Sequence, residues 1–122
     1  MQAVASDQVP VVWPTVCHWL QESPIFQGVD HDVQSGKYTL LVSRDNDAVN
    51  GCGVVCLMPD KTLFIIEIGG KGLVTKDALH ALADYASDSG ATALKAMAHP
   101  AAARLYRQVG MKTTYELMDY PL

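Results

Sequence analysis

Apolar and polar positions along the chain change period several times. Between Val9 and Glu22 the residues Val12, Val16, Trp19 and Leu20 recur at helical intervals, so one face of a helix is predicted there. Asp7 can cap it, Pro10 suits its first turn, and Pro14 lies early enough for its missing N–H to be tolerated. Ser23-Pro24 ends that helix, Ile25 to Val29 reads as an irregular link with Phe26 exposed, and a short helical turn is expected from Asp30 to Gly36.

The period then shortens. Tyr38 to Ser43, Val49 to Met58 and Leu63 to Ile68 read as three strands, separated by the turn compositions Asp45-Asn46-Asp47 and Pro59-Asp60-Lys61. Connections this short make an antiparallel meander. Gly51 and Gly53 interrupt the second strand, as a bulge or a close backbone approach would require. The third strand is apolar on both faces, the pattern of a strand covered by helices on either side. Glu67 interrupts it. A carboxylate buried there without a partner would be costly and would have its pKa raised, so Glu67 either opens into a cleft or is paired.

Helical spacing returns from Thr75 or Asp77 to Asp88, with Ala78, Leu79, Leu82, Ala83 and Ala86 on one stripe and Gly90 as the stop. Ala91 to Ala98 is predicted as a fourth strand, parallel to the third because a helix intervenes, with a right-handed crossover. Pro100 to Val109 forms the next helix, ended by Gly110, and Met111 to Met118 is expected to return as a last strand with Thr113, Tyr115 and Leu117 on one face. The elements describe an α/β (α+β) fold, a mixed sheet flanked by helices.

Composition narrows this picture. A chain of 122 residues with 49% apolar and 18% charged residues suits one globular domain, residues 1–122. The longest uncharged run, Val9 to Gln21, is broken by two prolines and a histidine, so no membrane span is predicted. The N-terminal residues lack the basic and apolar regions of a secretory signal, and a cytoplasmic location is expected. The formal net charge of −4 comes from scattered acids, and the lysines and arginines form no stripe with aromatics, so direct nucleic-acid binding is not expected. Cys52 and Cys56 sit four apart on one predicted strand, roughly 13 Å between Cα atoms and beyond disulfide reach. With Cys17 they read as small buried hydrophobes in a reducing compartment, and no zinc-like ligand spacing is present. His18 and His31 have no partner motif and read as solvent-facing or satisfied core residues.

The segment from His99 to Met111, HPAAARLYRQVGM, resembles the pattern N-x-x-A-x-x-L-Y-x-x-x-G-F of the GNAT superfamily of N-acetyltransferases. Ala102, Leu105, Tyr106 and Gly110 agree, while His99 and Met111 replace the asparagine and the phenylalanine. Ala78 to Gly90 is similar to that family's L-L-x-x-L-x-x-W-A-x-x-x-G, with Tyr85 for the aromatic, and the element order is the family's order. The resemblance is most specific to small GNAT-like proteins of tailed phages, through Ile65 and Ile66 before Gly69-Gly70, Tyr85-Ala86 before Gly90, Arg104-Leu105, and Val9-Pro10 with Trp13-Pro14.

Within the resemblance, Glu67 corresponds to a general base, Tyr106 to the acid for the leaving thiolate, and Ile68, Gly69, Gly70, Lys71, Gly72, His99 and Arg104 to positions for acetyl-CoA. The family's diphosphate loop, Q/R-x-x-G-x-G/A, falls on Gly70, Leu73 and Thr75, none of which fits; a shifted register over Gly69, Gly70 and Gly72 supplies glycines at the cost of a changed loop length. Lys71 and Lys76 read as phosphate contacts or as a solvated face, His99 as a ligand contact or a turn residue, and Tyr106 as an acid or a packing residue. The resemblance implies a phage virion component, structural or interacting, with reduced or lost acetyltransferase activity and other virion proteins as partners. The alternative is a small acetyl-CoA-dependent enzyme acting on a primary amine. An oligomer is compatible with either, with Trp13, Phe26 and Tyr120-Pro121-Leu122 as contact candidates.

Overall fold

In the computed structural model, described for residues 1–21, 26–70, 76–98, 100–116 and 118–122, a five-stranded sheet carries helices on both faces. The order along the chain is β1 (Gln2–Ala3), α1 (Val9–Val16), a 3-10 turn (Cys17–Trp19), α2 (Phe26–Gln34), β2 (Thr39–Asp45), β3 (Ala48–Leu57), β4 (Thr62–Gly70), α3 (Lys76–Asp88), β5 (Ala93–Ala96) and α4 (Pro100–Gln108). The strands lie in the sheet in sequence order, β1 to β4 antiparallel and β5 parallel to β4.

Alternation along the strands sends side chains into two cores. Leu40, Val42, Cys52 and Val54 pack with Trp13, Val16, Leu20, Val29 and Val33 from α1, the turn after it and α2. Leu41, Val55, Leu63 and Ile65 pack with Leu82, Ala86 and Tyr106 from α3 and α4. Neighbours such as Leu40 and Leu41 therefore serve opposite layers, as a period of two requires.

The turns follow from residue chemistry. Asn46 and Asp47 both take positive φ, 50° and 68°, in the two-residue connection between β2 and β3, a geometry that these side chains tolerate better than others. Before β4, Asp60 Oδ1 accepts from the Thr62 N–H at 3.0 Å, and that bond holds the Asp60 carboxyl below its ordinary pKa. Gly90 and Gly110 close α3 and α4 with φ of 84° and 111°.

Several boundaries differ from the pattern in the sequence. The first helix is α-helical only to Val16 and tightens into the 3-10 turn, with Gln8 rather than Asp7 at its N-cap. Trp13, 3% exposed, takes the buried place expected of Val12 and is not a surface contact; its Nε1 donates to Asp30 Oδ1, which also accepts from Gln34 Nε2 at 2.9 Å. That bond ties α1 to α2. α2 begins at Phe26 rather than Asp30, because Val29 and Val33 supply a buried face that draws the preceding residues into the helix. On α3, Ala83 is exposed and Tyr85 packs against the core in its place. β1 adds a short edge that periodicity did not indicate, pairing Gln2 with Val42 and Ala3 with Leu41.

The expected last strand is absent among the described residues: 111–116 and 118–122 take no regular structure, and 112–116 and 118–122 are exposed. A strand pattern without a partner ladder leaves its N–H and C=O groups to water, so alternation alone does not make a strand.

Asp30→Ala removes the carboxylate that accepts from buried Trp13 and should lower unfolding stability by about 1–3 kcal/mol, read from the urea midpoint at unchanged m-value. Glycine positions should separate by geometry. Gly28, in α2 with open space around an added Cβ, should gain about 0.5–1 kcal/mol on substitution by alanine, whereas Gly70→Ala should lose stability, both read by thermal unfolding.

Candidate functional site

The site is built where β4 parts from β5. Across the β3–β4 ladder, Val54 pairs with Glu67 and Val55 with Ile65, so Ile66 is an extra residue bulged out of β4. On its other side β4 pairs with β5 only from Thr62 opposite Ala93 to Ile65 opposite Ala96. The parallel ladder stops at the residue before the bulge. Beyond it, Glu67 to Gly70 run on beside β3 alone, through Gly53 opposite Ile68, Cys52 opposite Gly69 and Gly51 opposite Gly70. The two strands splay, and the β5-facing backbone groups of that stretch are not committed to the ladder.

Glu67, directly after the bulge, is half-buried. Its negative charge is felt on both sides of the sheet. Tyr106 belongs to the core under α3 and α4, and burial first, then the Glu67 charge, pushes its phenol up to about 12. Cys52 belongs to the opposite core, and burial first, then the Cys17 sulfur, pushes it up to about 12; a hydrogen bond from Gly69 lowers it, and the Glu67 charge adds the smallest raising effect. Glu67 stands opposite Val54, a residue of the core under α1 and α2. The Cys52 thiol, fully buried and 3.9 Å from the Val16 carbonyl oxygen, is protonated at neutral pH and serves as a packing group rather than a nucleophile.

The glycines at the end of β4 are required by packing. A Cβ on Gly69 would lie 2.8 Å from Leu20 Cδ2 and 2.9 Å from Trp19 Cβ, because the 3-10 turn rests directly on the strand. Gly70 has φ of 135°, and a Cβ there would meet Gly51 Cα at 2.5 Å and the Asn50 carbonyl oxygen at 2.6 Å. The Gly51 and Gly70 backbones are therefore in close approach, the reason for Gly51 that its place in a strand suggested.

The sequence-derived residues fall into three groups. Glu67, Ile68, Gly69 and Gly70 lie on β4 past its last pairing with β5, and Tyr106 packs in the core that Ile65 and Ile68 share. Arg104 lies exposed on α4. Lys71, Gly72 and His99 lie outside the described residues, as does the Lys76 side chain. Two features went unread in the sequence. One is the bulge at Ile66, whose signal was the carboxylate inside an apolar run. The other is Asn50, the extra β3 residue where the register with β2 shifts between Ser43 and Arg44; its Oδ1 is buried with no hydrogen-bond partner, and its backbone adjoins Gly70. Among the described residues no group of three or more His, Cys, Asp or Glu could hold a metal ion, and no helix is long and apolar enough to cross a membrane.

No protein-family model and no curated protein sequence matches the chain. Solved structures do. The chain superposes on a ribosomal-protein-alanine N-acetyltransferase from Brucella melitensis biovar Abortus 2308 with a TM-score of 0.70 and 16% identity, covering 99% of this chain and 98% of that one. An aminoglycoside acetyltransferase, meta-AAC0020, from an uncultured soil metagenomic sample, in complex with sisomicin, matches at TM-score 0.68 and 9% identity over 99% and 93% of the two chains. The aminoglycoside N-acetyltransferase AAC(6')-Iy in complex with CoA matches at 0.65 and 11% over 99% and 97%. Near-complete coverage on both sides, with the mixed sheet and its flanking helices in common, identifies the architecture: this chain has the GNAT acetyltransferase fold.

Proposed function

We propose that the protein is an acetyl-CoA-dependent N-acetyltransferase acting on a primary amine. The observation that carries this reading is the end of the β4–β5 ladder at the Ile66 bulge, with Glu67 just beyond it and Tyr106 packed in the core that Ile65 and Ile68 share. A cleft between strands exposes backbone donors and acceptors along Glu67 to Gly70, which suit an extended amide-bearing chain. Arg104, exposed on α4 two residues before Tyr106, suits the phosphate end of such a ligand. That one solved relative of the fold holds CoA supports the same assignment.

Acetyl-CoA would supply an acetyl thioester, whose carbonyl carbon forms the new bond to the amine nitrogen as the bond to sulfur breaks. Glu67, an acceptor when ionised, takes the proton that the amine loses. Tyr106 keeps its proton well past neutral pH because its site is dry and faces a negative charge, so its hydroxyl is available as the acid for the departing thiolate. The negative charge of Glu67 thus both serves as base and keeps the acid loaded. The Tyr106 ring also packs in the α3 and α4 core, so its position is held by that packing.

A second reading is supported by the sequence of the loop after β4, where Gly70, Leu73 and Thr75 fall on the family's diphosphate positions without matching them. On that reading the fold serves as a scaffold in a phage particle, with other virion proteins as partners.

Titration calorimetry with acetyl-CoA separates the readings: a 1:1 binding isotherm is expected, and no heat at millimolar ligand would overturn the enzyme assignment. A saturating ligand at a hundred times its Kd would add about 2.7 kcal/mol of stability, several degrees in Tm. With an amine acceptor present, Tyr106→Phe and Glu67→Gln should each lower kcat by roughly a hundredfold, measured as free thiol released.

The raised phenol also predicts an alkaline limit. A group whose folded pKa lies above its unfolded value stabilises the fold below the unfolded value, and that stability is lost as pH rises through the folded one. Tyr106 should therefore contribute stability up to about pH 10 that disappears toward about 12. Cys52 behaves alike, with loss beginning near pH 9. Thermal unfolding from pH 8 to 12 should fall less steeply for Tyr106→Phe and for Cys52→Ala than for the parent chain.

A further inference from the structure

The cleft lies toward one edge of the sheet; at the other edge β1, the start of α1 and the far half of β2 meet. β1 pairs only with Val42 and Leu41, and once the Val4 N–H has donated to the Leu40 carbonyl at 2.9 Å the chain leaves the sheet. The Gln8 and Val9 N–H groups close the turn that follows by donating to the Ala5 carbonyl at 2.8 and 3.2 Å, and the chain rises into α1. Trp13, the first buried residue of that helix, comes one turn later. The corner beneath is left to small side chains. It holds a cavity of about 200 Å³, with Val4, Val12 and Val42 in its apolar wall and Gln2, Gln8 and Arg44 as its polar lining.

The two kinds of lining are separated in depth. Val42 belongs to the core under α1 and α2, and Val4 and Val12 pack against it, so the floor is apolar. Alternation along β2 puts Arg44 on the same face as Leu40 and Val42, and Gln2 stands directly opposite Val42. Gln2, Gln8 and Arg44 are exposed and form the rim. Arg44 carries the only charge in the lining. Its Nη1 donates to the Asp47 carbonyl at 3.5 Å, a long bond, and among the described residues no carboxylate pairs with it. Asp7, beside Gln8 in sequence, and Asp45, beside Arg44, lie outside the lining.

We propose that this corner binds a short aliphatic monocarboxylate, with its charge on Arg44 and its tail over Val4, Val12 and Val42. A guanidinium presents parallel N–H groups that match the two oxygens of a carboxylate, and the side-chain amides of Gln2 and Gln8 supply donors for the lone pairs that remain. The valine wall favours an alkyl chain over water. An inorganic anion would leave that wall uncovered, and a neutral amide would leave the guanidinium unmatched. Size agrees with this class: at roughly 30 Å³ for each water-sized group the cavity admits about six or seven, the size of butyrate. β2 and β3 separate the corner from β4, so the site is independent of whether the cleft is catalytic.

Amide chemical shifts of the isotope-labelled full chain test this while sodium butyrate replaces sodium chloride at constant ionic strength. Butyrate should shift the amides of residues 2–8 and 42–44 saturably, with a Kd on the order of 1 mM. Butyramide and inorganic phosphate, each lacking one half of the ligand, should bind at least about tenfold more weakly, and Arg44→Gln should weaken butyrate by roughly tenfold or more. Val12→Phe, which fills the cavity, should abolish binding as well; Arg44→Gln, at an exposed position, decides alone if that variant does not fold. The absence of butyrate shifts at these residues would overturn the proposal. So would phosphate or butyramide binding as tightly as butyrate, or an affinity unchanged in Arg44→Gln.

Discussion

One extra residue in one strand sets most of what this molecule can do. β4 must satisfy β3 along its whole length and β5 for only its first half, and Ile66 is the residue that lets it do both. A bulge adds twist locally, so the strand that ran parallel to β5 through Ile65 turns away from it. Without the bulge the parallel ladder would continue, Glu67 would point into one packed layer, and the gap between the strands would close. A carboxylate is expensive in a continuous buried sheet, and Glu67, half-buried just past the bulge, stands where β4 no longer pairs with β5.

The two cores make that cleft rigid. Leu63 and Ile65 anchor β4 to α3 and α4 below the splay, and Ile66 packs toward α1 and α2 above it. Cys52 and Tyr106 lie in opposite layers, and burial is the main cause that keeps both neutral. Tyr106 sits on a packed helix and Glu67 on a strand, elements that hold side chains more firmly than a loop does.

The long periodic segments were readable because burial repeats at the spacing of their own geometry. Leu82 and Ala86 on α3, the pair Leu63 and Ile65 on β4, and the helix stop at Gly110 all follow from local pattern. What escaped was decided by neighbours. Trp13 goes deeper than Val12, which packs at the margin of the same core, because Asp30, distant in sequence, offers its indole an acceptor. Tyr85 displaced Ala83 because a large ring reaches the core from a position where a methyl group does not. The tail alternates as a strand should, but a ladder needs a partner. At the site, Glu67 was legible as a carboxylate inside an apolar run, while the residue that bulges beside it is fixed by the register between two strands.

The contact of the 3-10 turn with Gly69 has a mechanical side. Trp19 and Leu20 occupy the volume where any side chain at position 69 would stand, so the turn bears on bare backbone with no compliant group between them. A close-packed junction of this kind transmits displacement rather than absorbing it. Rotation of the α1 segment would shift the floor of the cleft with it, and the Trp13 bond to Asp30 couples α2 to the same lever. The helical layer over one face of the sheet and the far half of β4 are thus packed in direct contact at Gly69.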